Sequence, residues 1–101
     1  EGRKPLIKPN KMNKAKFFKN FVILNDFLDG YKCTNEEKNK AKKLKLNVFF
    51  ELYDDDDEKY YSGYMHEDIE DEFEPQDWAE YYAGCTYIKI RNKNTNKMEV
   101  L

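Results

Sequence analysis

Between residues 54 and 80 this chain carries 13 Asp and Glu against a single base, Lys59, a net charge of −12 over 27 residues. Like charges packed so densely repel one another and hold their water, so the run from Asp54 to Glu58 breaks a strand. The first half has the opposite balance. Residues 1–50 hold 13 Lys and Arg against 5 Asp and Glu, whereas residues 51–101 hold 5 against 15. A formal net charge of −2 therefore hides a strongly polar chain.

The remaining residues must build the core, and 101 of them suffice for one domain and one modest core. Hydrophobic residues make up 40% and aromatics 16%, which outweighs the disordering effect of 38% charged residues. Residues 1–11, with Pro5, Pro9 and scattered lysines, read as an extended basic arm or leader, and residues 12–101 as one α+β domain. No stretch approaches the ~18 apolar residues of a membrane span, and no apolar segment follows the N-terminus as in a signal peptide. A cytoplasmic setting is expected, with a secreted one still open.

Phe17, Phe21, Leu24 and Leu28 fall at i, i+4, i+7 and i+11, which predicts a helix over residues 12–29 closed by Gly30. The run Phe-Val-Ile-Leu within it would also suit a strand. Thr34-Asn35-Glu36-Glu37 is a capping box that starts a short lysine-rich helix. Leu44, Leu46, Val48, Phe50 and Leu52 then alternate with other residues, a ten-residue strand with period two. Lys59 to Met65 returns as its hairpin partner. Pro75 near a first turn and Gly84 past an end bound a compact helix. A polar loop at residues 92–96 marks a C-terminal hairpin. The expected architecture is α+β: a small antiparallel sheet of about four strands with two or three helices packed on one face.

Catalysis has little to work with. Ser62 is the only serine and His66 the only histidine, and four scattered glycines offer no phosphate-cradling loop. Carboxylates are plentiful, but a catalytic carboxylate is usually isolated in a pocket that shifts its pKa. Hard oxygen ligands suit calcium or magnesium, yet the acidic runs lack the glycine and spacing of a calcium loop. Cys33 and Cys85 have no metal-binding spacing, and free thiols are the better reading. The expectation is a protein that is not an enzyme, with no cofactor and no dedicated metal site.

The acidic tract remains. Asp54, Asp55, Asp56 and Asp57, then Glu67, Asp68, Glu70, Asp71, Glu72 and Asp77, would supply a row of negative charge. Tyr60, Tyr61, Tyr64 and Trp78 are interleaved with them and would be anchors if exposed. Carboxylates mimic phosphates, so such a surface would dock into a basic, nucleic-acid-binding groove of a protein partner. Small inhibitors carried by phages and mobile elements use this strategy. Direct nucleic-acid binding by the lysine-rich first half is the alternative, although the neighbouring acids would repel the ligand. An interaction module of a larger or secreted protein, or a homodimer with lysines facing acids, is also compatible with the charge split.

Overall fold

The structure, a computed structural model, describes residues 12–101, so the arm expected at residues 1–11 lies outside the described residues. The elements are β1 (Lys16–Phe17), β2 (Phe21–Asp26), α1 (Asn35–Lys43), β3 (Leu46–Tyr53), β4 (Lys59–His66), α2 (Glu74–Ala83), β5 (Tyr87–Arg91) and β6 (Met98–Val100). The six strands form one antiparallel sheet in the order β1-β2-β4-β3-β5-β6. Among the described residues the fold is thus α+β with two helices, and it has two strands more than the sequence pattern suggests.

Those strands replace the expected helix at residues 12–29. Val22 and Ile23 are β-branched, and Phe21, Val22, Ile23 and Leu24 are all buried in β2. A strand covered on both faces reads as an unbroken apolar run, and such a run also satisfies a helical spacing. Gly30 does take the positive φ expected of it (80°), but in the turn that brings Tyr31 back to Asp26. Asp26 Oδ1 accepts the N–H of Leu28 and of Asp29 inside that turn. Burial nevertheless raises the Asp26 pKa above its ordinary value.

The helices lie on opposite faces of the sheet, not on one. Phe21 and Ile23 pack with Phe50, Leu52, Ile88 and the Ala79 and Ala83 of α2. Val22 and Leu24 point the other way and pack with Leu46 and the Ala41 of α1. Alanines at the contact let each helix approach closely. Cys85 belongs to the α2 side and Cys33 to the α1 side, so the sheet separates the two thiols and both are free.

Local signals elsewhere hold. Thr34 Oγ1 accepts from the Glu37 N–H (3.1 Å) while Glu37 Oε1 accepts from the Thr34 N–H (3.0 Å), completing the capping box. Glu37 also accepts the Ala15 N–H (2.8 Å), which ties α1 to the chain entering β1. The β3 strand is shorter than its alternation implies, because Leu44 caps α1 and Lys45 takes a positive φ of 62° before Leu46. A register shift between Leu46 and Val48 puts Leu46 on the α1 face and Val48 on the α2 face. The edge strands have two and three residues, too short to template further pairing easily.

Gly63 lies in the central strand β4, opposite Ile23 and Phe50. A Cβ placed there would lie 1.9 Å from the Val22 carbonyl oxygen, a backbone atom that cannot swing aside. Gly63→Ala is therefore expected to destabilise the fold by about 3 kcal/mol. Urea unfolding checks this: an unchanged midpoint would mean that β2 and β4 do not approach so closely.

Candidate acidic docking surface

The acids of residues 54–80 divide between the two ends of β4, whose eight residues hold them roughly 25 Å apart. At one end is the β3–β4 turn, and Asp54 organises it from within. Asp54 is only 4% exposed. Its Oδ1 accepts the N–H of Asp56 (2.8 Å) and of Glu58 (2.9 Å), and its Oδ2 accepts the Tyr60 hydroxyl (2.9 Å). The backbones of Asp54 and Glu58 are also bonded, and Asp57 adopts φ 63°. Residues 55–58 are thereby displayed outward.

Asp54 accordingly leaves the set of docking charges. A buried carboxylate accepting three hydrogen bonds is a structural element, and the consecutive aspartates around it are what hid this in the sequence. Tyr60 shares its fate: it is half-buried, and burial together with the Asp54 acceptor pushes its pKa up to about 12.

At the other end, residues 67–73 connect β4 to α2. Ile69 packs against the core, His66 Nδ1 accepts the Asp68 N–H (3.0 Å), and Asp71 Oδ1 accepts the Phe73 N–H (3.0 Å). These bonds hold the loop in shape while Glu67, Asp68, Glu70, Asp71 and Glu72 stay exposed. Glu67 is paired with Lys93 of the C-terminal hairpin (2.5 Å), which lowers its pKa and offsets its charge.

Helix α2 joins the two ends. Glu74 in its first turn accepts from Asn20, whose carbonyl in turn accepts the His66 N–H. Past its last turn, Thr86 donates to the Tyr53 carbonyl beside the β3–β4 turn. Pro75, Ala79 and Ala83 face the sheet, so Asp77, Glu80 and Tyr81, at i, i+3 and i+4, face outward. The result is a ridge of carboxylates from the 67–72 loop along α2 to the 55–58 turn. The lysines of α1 stand on the opposite face of the sheet, where Lys38, Lys40, Lys42 and Lys43 are exposed. The two helices thus carry opposite charge on opposite faces, while Lys19 and Lys93 stand among the acids of the 67–74 region.

The aromatic anchors differ from those the sequence singles out. Tyr61 is core (2% exposed), and its neighbours in β4 make Tyr64 half-buried on the α1 side, edge-on to Phe49 at 5.6 Å. Trp78 is half-buried between Tyr61 (5.0 Å) and Phe18 (5.8 Å). The aromatics that reach solvent among the acids are Phe73, Tyr82 and above all Tyr81, 83% exposed. The helical spacing of Tyr81 from Asp77 was the available signal.

Other chemistry leaves little trace. Ser62 is buried with its hydroxyl accepting from Asn25 (3.0 Å), and the His66 Nδ1 is occupied as described. Among the described residues no group of three or more His, Cys, Asp or Glu is placed to hold a metal ion, and no helix is long and apolar enough to cross a membrane. No family model, curated protein or solved structure matches this chain.

Asp54→Ala is expected to cost about 2 kcal/mol by orphaning the turn amides and the Tyr60 hydroxyl, whereas Asp56→Asn should change stability by less than about 0.5 kcal/mol. Equal urea midpoints for the two variants would remove the structural role of Asp54. The folded state holds the Tyr60 proton to about pH 12, while the unfolded chain releases it near 10.0. Its contribution is fully present below pH 10.0 and lost as pH rises through 12. Ultraviolet titration of tyrosine ionisation should show a late phase shared by Tyr31, Tyr60 and Tyr87, and one tyrosine's share of it should move to lower pH in Asp54→Ala.

Proposed function

We propose that this chain is a small non-enzymatic binding protein that docks its acidic ridge into a basic, nucleic-acid-binding groove of a protein partner. It would act there as an inhibitor or adaptor by occupying phosphate positions with carboxylates. The observation that supports this most is the outward array of Asp77, Glu80 and the fully displayed Tyr81, flanked at both ends by exposed acids. A ridge of fixed carboxylates steers toward a cationic groove, and a bare aromatic at its middle supplies the area that desolvation rewards.

Charge density alone is the usual mark of a solvated face, so the exposed tyrosine is what shifts the balance. A hydrated face has no need of an aromatic ring that stands 83% exposed and touches only the edge of its neighbour Tyr82. The docking set becomes Asp55, Asp56, Asp57, Asp68, Glu70, Asp71, Glu72, Asp77 and Glu80 for charge, with Tyr81 and Phe73 as anchors.

The test is affinity capture from a lysate of the source cells, eluted in steps of salt. Recovery of a nucleic-acid-handling protein released by salt is the expected result. With that partner purified, joint replacement of Glu70, Asp71 and Glu72 by amides should weaken binding at low salt and flatten its salt dependence. Tyr81→Ala should weaken it about tenfold, which is ~1.4 kcal/mol. Binding that survives both changes would reduce the acidic tract to solvation.

A further inference from the structure

Helix α1 has nine residues and packs mainly on β2 and β3. On that same side of the sheet, no helix among the described residues overlies β5 and β6. An uncovered antiparallel face ordinarily turns polar residues to water. This one turns aromatic residues outward instead. The register places Tyr53 beside Tyr87 and Glu51 beside Lys89, with Phe50 beside Ile90 pointing to the α2 core. Phe49, Tyr53, Tyr87, Lys89 and Arg91 therefore share the open side.

Their geometry is that of a stacking surface with cations attached. The Tyr53 and Tyr87 rings are parallel within 6° at 5.1 Å. Lys89 Nζ lies 4.7 Å from the Tyr53 ring centre, and the Arg91 guanidinium 4.7 Å from that of Phe49. Tyr53, Tyr87, Lys89, Asp57 and Val100 line a shallow hollow of about 540 Å³. The two acids nearby are engaged within the protein. Glu51 accepts from the Tyr53 hydroxyl (2.8 Å) and Lys59 (3.1 Å), and Asp57 accepts from the Tyr87 hydroxyl (2.5 Å). Lys89 and Arg91, two residues apart on one strand, stand about 7 Å apart along it. Lys42, Lys43 and Lys45 precede β3 at the Arg91 end of this face.

Cations lying on rings can serve solubility alone, yet parallel rings next to paired cations also match one ligand in both charge and shape. We propose that this open sheet face binds single-stranded nucleic acid, with a base stacked on Tyr87 and phosphates held by Lys89 and Arg91. Aromatic platforms favour single strands because an unpaired base has a free π-face, and the basic side chains add a salt-dependent term. The proposal shares only Asp57 with the acidic ridge, whose helix lies on the α2 side, and it does not require a protein partner.

The test uses the full chain with a fluorescein-labelled oligothymidylate, followed by anisotropy at low ionic strength. Binding tighter to the single strand than to a duplex of equal length is expected. Tyr87→Ala should weaken it about tenfold or more, whereas Tyr87→Phe keeps the ring and should bind like the parent. Replacing Lys89 and Arg91 together by alanine should reduce the slope of log K against log salt by about 1.4, two phosphate contacts at ~0.7 each. Amide replacement at Glu70, Asp71 and Glu72 should not weaken it, which separates this face from the ridge. Absence of binding at low salt overturns the proposal. So does equal affinity for duplex and single strand with no effect of Tyr87→Ala, which would mean diffuse attraction to lysines. Concentration-dependent self-association blocked by Tyr87→Ala, without oligonucleotide binding, would assign the face to a second copy of the chain instead.

Discussion

Strand β4 sits in the middle of the sheet, and everything else depends on how closely β2 approaches it at Gly63. A glycine there lets the Val22 carbonyl pass where a side chain would stand. That approach makes β2 an interior strand, and its four successive buried residues then feed both cores at once. Phe21 and Ile23 anchor the layer under α2, while Val22 and Leu24 anchor the layer under α1. One six-residue strand thus sets the three-layer arrangement, because alternation along an extended chain sends neighbours to opposite sides.

The same arrangement keeps strongly opposed charges on one small domain. The lysine-rich helix and the acidic helix are packed on different faces, so the sheet lies between them. Local acceptors fix the backbone of the acidic loops, and the Lys93–Glu67 pair adds to them. The Asp54 carboxylate accepts two backbone amides and that of Asp71 one, and the pairs Lys59–Glu51 and Lys93–Glu67 both fall within the C-terminal half. Exposed pairs of this sort contribute little to stability, which leaves burial on the two sheet faces as the main support of the fold.

Aromatic residues divide into three uses that composition does not distinguish. Tyr61, Phe21 and Phe50 are core, and Trp78 bridges from the core toward solvent. Phe49 and Tyr53 lie half-buried under cations with Tyr87 stacked beside Tyr53, and Tyr81 is largely exposed at the edge of Tyr82. A tyrosine in an acidic stretch can take any of these roles, since its ring is large and its hydroxyl tolerates water. Only the strand register and the helix face assign each one.

Signals within a few residues were legible in the chain itself: the capping box at Thr34 and Glu37, the αL glycine after α2, the β3–β4 hairpin, the C-terminal hairpin and the division of charge. Each depends on backbone hydrogen bonds or repulsions between near neighbours, which operate whatever the rest of the chain does. Three matters waited for the tertiary structure. Residues 16–26 became strands because two separate layers cover them, and a pattern buried on both sides loses its period. The helices took opposite faces because β2 serves both. Asp54 became buried while Asp55, Asp56 and Asp57 stayed out, because hairpin geometry picks a single carboxylate to close the turn. Chain-distant packing decides such questions, and no local spacing encodes which of several like residues it will choose.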